Sequence, residues 1–201
     1  HESSVTYVTV GHTKGLYDLL VSEPDDISPL TGMQLVKQKV NRWIAMGALN
    51  ANNEEGNYTK SWNFFFNETA PYSEYLVENF PGEIVFIATG SEIMTGKSLK
   101  ETPPGNIVRT AYRDWLWNVF EKTLEDQRPS WDIIAVYYAI EGLGDFLEQE
   151  EPGWLEFDAE KGCRWNRGEN DFNHKYIISK KEQAEEFEAY LNKMIAVQPQ
   201  G

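Results

Sequence analysis

Ile84-Val85-Phe86-Ile87-Ala88 is an unbroken apolar run, set between Pro81-Gly82 and Thr89-Gly90-Ser91. A strand with water on one face alternates apolar and polar residues, whereas a strand covered on both faces need not, and this run is too short for a helix. It therefore reads as a strand of a parallel sheet held between helical layers. Upstream, Trp43-Ile44-Ala45-Met46 ends in the same way at Gly47, and Val5-Thr6-Tyr7-Val8-Thr9-Val10 reads as a buried strand that closes at Gly11. Helical spacing fills the gaps, over residues 16–20 and 33–39 before the second strand and over 72–80 before the third. Strand and helix alternating in this way predict an α/β, Rossmann-like fold with a mostly parallel sheet flanked by helices.

Beyond the third strand the period changes. Val108, Tyr112, Trp115, Leu116, Val119 and Phe120 share one face of a long helix and are expected in the core. Residues 132–140 are almost wholly apolar and predict a buried helix. Residues 154–157 and 163–165, separated by Asp158, Glu160 and Gly162, predict a small β-hairpin in the carboxyl-terminal third, and 184–197 a closing amphipathic helix. No repeat, low-complexity tract or linker interrupts the pattern, so residues 1–201 are read as a single domain.

The chain has 201 residues, 41% hydrophobic, with 18 basic against 32 acidic side chains and a net charge of -14. That charge repels polyphosphate and argues against nucleic-acid polymers as partners. No apolar run reaches membrane-spanning length, so no membrane partner is expected. Cys163 is the only cysteine, which rules out an internal disulfide framework or cysteine zinc cluster and reads as a small half-buried residue. Asn57-Tyr58-Thr59 and Asn67-Glu68-Thr69 fit the glycosylation acceptor pattern and lean slightly toward secretion.

Asp132 is a lone acid between Trp131 and the apolar residues that follow. It reads either as a helix cap, accepting from free amides of the first turn, or as a carboxylate facing a cavity that holds a hard cation or a hydroxylated substrate. In an open parallel sheet ligands bind at the carboxyl ends of the strands, which singles out Gly11-His12-Thr13-Lys14-Gly15, the segment 47–63, and Thr89-Gly90-Ser91-Glu92. The second of these carries Asn50, Asn52, Asn53, Asn57 and Asn63, residues that serve equally as turn formers and as partners for vicinal hydroxyls. Asn63 stands apart, since between Trp62 and Phe64-Phe65-Phe66 its amide must find partners.

These loops in this order resemble the second half of the inosine-uridine-preferring nucleoside hydrolase family. The strand and loop through Val10-Gly11-His12-Thr13-Lys14-Gly15-Leu16 are similar to the family's strand followed by Gly-Pro-Leu-Thr-Asn-Leu, and Trp43 to Gly47 to its strand ending Met-Gly-Gly. Gly56-Asn57-Tyr58-Thr59 and Ser61-Trp62-Asn63 resemble its Gly-Asn-x-Thr and Glu-Phe-Asn segments. Ser130-Trp131-Asp132 resembles its His-Asp-Pro or Trp-Asp-Pro helix start, and Asn173-His174-Lys175-Tyr176 resembles a bacterial-type branch. The resemblance implies a calcium-dependent N-ribosyl hydrolase whose metal-bound water attacks the anomeric carbon of a nucleoside. It further implies Asp132 as a calcium ligand, Lys14 as a ligand through its backbone carbonyl, and Asn63, Asn57, Ser61 and Trp131 at the substrate.

The sequence departs from that pattern at several places. The family's Asp-rich motif, which supplies the catalytic base and most calcium carboxylates, is expected ahead of His1, so no catalytic residue is assigned within this chain. Ser61 stands where the family has a Glu that binds ribose, Trp131 where one branch has a His that protonates the leaving base, and Lys14 where it has Thr. Neither Ser nor Trp replaces the lost proton transfer or charge. Two readings follow: an enzyme portion completed by a companion N-terminal segment or chain, and inactive alone, or a non-catalytic binding or structural module on the same scaffold. A nucleoside or other ribose-bearing small molecule is the expected ligand, and a homo-oligomer is compatible with either reading.

Overall fold

The computed structural model describes residues 4–197. In chain order the elements are β1 (Val5–Thr9), α1 (Lys14–Leu20), α2 (Gly32–Lys39), β2 (Val40–Met46), the one-turn α3 (Trp62–Phe65), α4 (Ala70–Asn79), β3 (Glu83–Ile87) and β4 (Met94–Thr95). There follow α5 (Ile107–Phe120), β5 (Arg128–Pro129), α6 (Trp131–Glu141), β6 (Leu147–Gln149), β7 (Gly153–Asp158), β8 (Gly162–Arg167), β9 (His174–Ser179) and α7 (Ala184–Ala196).

The central sheet has the order β1-β2-β3-β9-β6. Its first four strands run parallel, with Val8 beside Ile44, Ile44 beside Val85 and Phe86 beside Tyr176, and β6 joins β9 antiparallel. Alternate residues serve two cores. Trp43, Ala45, Ile84, Phe86 and Tyr176 pack with Leu16, Val36, Phe64 and Leu76 from α1 to α4. Ile44, Val85, Ile87 and Ile177 pack with Ile134 and Tyr137 of α6 and Phe187 and Leu191 of α7. Cover on both faces is why β3 is apolar throughout. The α/β fold with a mostly parallel sheet flanked by helices is therefore the observed one, and β7 and β8 form the expected hairpin.

Several expectations are corrected. β1 is not buried: it pairs with β2 alone among the described residues, leaving Val5 44% exposed at the sheet edge. The aromatic face of α5 is not core, since only Leu116 is buried while Trp115, Trp117, Val119 and Phe120 stay exposed. α5 lies off the sheet, against α7 and the turn at Lys97–Glu101, so helical periodicity there marks a face without showing what covers it. α6 is buried on one side only, with Ile134, Ala135, Tyr137 and Tyr138 inside and Val136 and Ile140 outside. Cys163 is fully rather than half buried. Sequence reading also missed β9, whose polar opening His174-Lys175 hides a strand that becomes central once Tyr176 and Ile177 are buried.

Candidate functional site

A cavity of about 540 Å3 opens at the carboxyl ends of β1 and β2, where Ser61, Asn63, Trp131, Asp132 and Arg128 meet the rings of Trp62, Trp115 and Phe120. Asp132 reaches it from the first turn of α6. The cap position of that helix is Ser130, and among the described residues the Asp132 carboxylate accepts no hydrogen bond, so it does not cap its own helix. Ser130 fixes the helix start: its N–H donates to the carbonyls of Gly90 and Ile93 at 3.1 and 2.9 Å, and its hydroxyl to Thr95 Oγ1 at 3.0 Å. Gly90 makes this approach feasible, with φ at +114° and the place of an added Cβ only 2.8 Å from the Trp131 nitrogen. Trp131 is held by its indole N–H donating to Ser91 Oγ at 2.9 Å. Loss of water pushes the Asp132 carboxyl above the ordinary carboxylate range, while the charge of Arg128 pulls the other way.

Asn63 enters from α3. Its Nδ2 donates to the carbonyl of Met46 at 3.1 Å and contacts Met46 Sδ at the same distance, which leaves Oδ1 as an acceptor for a ligand hydroxyl. Ser61 is occupied structurally, its Oγ accepting from the N–H of Ala48 at 3.0 Å. The segment between β2 and α3 holds two non-glycine residues in the left-handed region, Ala48 at φ 58° and Asn50 at φ 60°. Such backbone costs of order 1–3 kcal/mol per residue and persists where surroundings dictate it. Tyr176 supplies that dictation from the neighbouring core, as its hydroxyl donates to Ala48 O at 2.6 Å and accepts from Ala51 N–H at 3.1 Å.

Lys14 and Asn57 are not brought to this cavity. Lys14 begins α1, so its carbonyl is directed into the helix's own hydrogen bonding, and its ammonium pairs with Asp18 at 2.5 Å on the surface. Of the first loop, Thr13 is buried with its Oγ1 2.8 Å from Ser73 Oγ, and the cavity is reached only by the preceding Val10. Asn57 is exposed, its amide donating to Glu55 at 2.7 Å and its N–H to Asn53 at 3.0 Å, which is turn work. His174 is structural as well, since burial pushes it down to about 4 while its Nδ1 accepts from Leu155 N–H at 3.2 Å.

Arg128, Trp115 and Phe120 are cavity residues that sequence reasoning did not single out. Arg128 is placed by β5, paired to β4 through Thr95, and its guanidinium carbon lies 4.2 Å from the Trp115 ring centre, 5.0 Å from Phe120 and 5.8 Å from Trp131. The available signal was an arginine two residues before a Ser-Trp-Asp helix start.

No protein-family model and no curated protein matches the sequence. Among solved structures, a plant nucleoside hydrolase is similar over 98% of this chain, with a TM-score of 0.60 and 12% sequence identity. The chain spans 63% of that enzyme's length. The likeness shows a nucleoside hydrolase-like fold. Among the described residues no helix is long and apolar enough to cross a membrane.

Calcium takes about six to eight oxygen ligands, and a single carboxylate leaves most of them to water. Asp132 is the only acid lining the cavity, and among the described residues no group of three or more His, Cys, Asp or Glu is placed to hold a metal ion. The described residues that line this cavity do not by themselves supply the ligands of a calcium site.

Proposed function

We propose that this chain forms one wall of a ribosyl-binding site of the N-ribosyl hydrolase type, completed by a companion polypeptide segment and catalytically silent without it. The supporting observation is the meeting of Asp132 and Asn63, far apart in sequence, in one aromatic-walled cavity. The Oδ1 of Asn63, which accepts no hydrogen bond among the described residues, suits a sugar hydroxyl, and the rings of Trp62 and Trp131 offer a bound sugar apolar faces to lie against. The Asp132 carboxylate favours positive charge that develops at an anomeric carbon as its bond to a base weakens. A nucleoside or another ribose-bearing small molecule is the ligand class. A catalytic base and the further oxygens that calcium requires fall to the companion segment, which in the resemblance carries the Asp-rich motif.

Support for that companion comes from the surface beside β1. A groove of about 370 Å3 adjoins the cavity through the shared residues Val10 and Asp132, and it is walled by Ile133, Val136, Ile140 and Met194. Unpaired strand edges and apolar grooves of this kind invite another strand and helix.

A non-catalytic binding module is the second reading, favoured by Ser61 and Trp131, which cannot move a proton as Glu or His would. Base release from inosine and uridine, with and without calcium, separates the two. The 201-residue chain alone is expected to show none; robust release by it would sink the proposal. A chimera with the Asp-rich amino-terminal segment of a nucleoside hydrolase placed ahead of Val5 is expected to release base in a calcium-dependent way. A folded chimera that binds ribose without releasing base would decide for the binding module.

A further inference from the structure

We propose that the Arg128 guanidinium is the seat of an anionic group on the ligand of this cavity, a phosphate ester carried by the sugar. The inference deepens the ribosyl reading and rests on it for the sugar alone; the anion seat rests on Arg128 itself. Of the five other arginines, Arg42 lies over the Tyr138 ring away from this cavity, with its Nε unpartnered among the described residues, and four are spent on protein oxygens. Arg109 donates to the carbonyl of Lys100 at 3.0 Å and Arg167 to that of Asn52 at 3.1 Å, while Arg113 pairs with Asp114 and Arg164 with Glu156, each at 2.8 Å. Among the described residues the Arg128 guanidinium donates to no oxygen and forms no ion pair, although it lines the same cavity as Asp132.

Its geometry is nevertheless set. Trp115 and Phe120 pack edge to face with ring centres 4.9 Å apart, and with Trp131 they hold the guanidinium by ring contacts that consume none of its N–H donors. The backbone beneath it is fixed by the pairing of Arg128 with Thr95. A planar fork held this way loses little freedom when it takes two oxygens of a phosphate, and the aromatic surround strengthens the contact by thinning the water around it. The net charge of -14 disfavours anions at long range, but that field is screened beyond about 8 Å in physiological salt. The local charge at the seat decides: it sets Arg128 against the single carboxylate of Asp132, whose charged form is disfavoured by its burial.

The test follows the indole N–H signals of Trp115 and Trp131 by NMR during titration of the whole chain with inorganic phosphate, ribose 5-phosphate and ribose. Phosphate and ribose 5-phosphate are expected to shift both signals saturably. The apparent affinity is expected to fall at least tenfold in R128M, to fall less in R128K, which keeps the charge without the fork, and to stay unchanged in R113M. Signal dispersion reports folding, and R128Q replaces R128M if the latter is unfolded. Tighter binding of ribose 5-phosphate than of inorganic phosphate supports the whole proposal. Equal binding of the two, lost in R128M, supports the anion seat and sinks the ribosyl reading. Absence of a saturable shift, or shifts that survive in R128M or R128Q, overturns the seat.

Discussion

The hydroxyl of Tyr176 donates to the carbonyl of Ala48 at 2.6 Å, joining the central strand β9 to the left-handed residue that follows β2. The same oxygen accepts from Ala51 N–H, so one buried side chain fixes both ends of the turn that leads toward Ser61 and Asn63. Tyr176→Phe removes both bonds and leaves Ala51 N–H paired with Ala48 O alone, at 3.1 Å. Loss of such hydrogen bonds costs about 0.5–1.5 kcal/mol each, and urea unfolding is expected to show a drop of that order. Amide exchange at Ala51 should accelerate well beyond what the global loss requires; an unchanged ratio to the core amides would remove Tyr176 from this role.

Gly90 is expected to tolerate no side chain. In Gly90→Ala the new Cβ meets the Trp131 backbone at 2.8 Å, and φ at +114° is unfavourable for any L-residue. A destabilisation of about 2 kcal/mol or more is expected, together with altered indole fluorescence from Trp131 as α6 shifts. Wild-type stability with an unmoved Trp131 signal would show that the close approach is not needed.

The Asp132 carboxyl has its folded-state pKa raised by loss of water. Folding therefore favours its protonated form, so its contribution is most favourable at low pH and declines as pH rises from the unfolded pKa to the folded one. Asp132→Asn removes that penalty. The variant is expected to gain stability relative to the parent at pH 7, with the gap closing as pH falls through the carboxylate range. Urea midpoints measured from pH 3 to pH 7 check the sign, and a gap that widens toward acid would contradict it.

Burial pushes the Cys163 thiol up to about 11 and encloses it beside Thr59. Thiolate is the reactive form, so alkylation by iodoacetamide at pH 8 is expected to be slow in the native chain and fast in urea. Equal rates in the two conditions would mean that the β8 core is open.

Ile140 is 74% exposed on the outer side of α6, at the groove beside β1. Ile140→Lys is expected to change the stability of the isolated chain by no more than about 0.5 kcal/mol. It should also weaken assembly with the proposed strand-bearing companion. Assembly at unchanged affinity would place the docking surface elsewhere.

The sheet was legible where burial on both faces writes itself into composition, as in Ile84 to Ala88. It was not legible at β9, because His174 and Lys175 open the strand with polar residues whose partners lie elsewhere in sequence. The α5 aromatics show the converse limit: their spacing marks one face of a helix, but Trp115 and Phe120 turn toward Arg128 and the cavity rather than into the core. At the site, the lone acid before an apolar helix pointed to Asp132, and the crowded amide to Asn63. Arg128 escaped notice because only three-dimensional packing shows that its donors are unspent.

The strand order places β9 between β3 and β6, and the clasp on Ala48 comes from a residue 128 positions later in the chain. A ribosome building this polypeptide releases β1, β2 and β3 long before Tyr176 exists, and contacts of such high sequence separation form late and slowly. The turn after β2 therefore stays unclasped through most of translation, with the inner edge of β3 bare. Arrest of synthesis before residue 176 is expected to yield a nascent chain in which the turn after β2 lacks its clasp and β3 lacks its β9 neighbour.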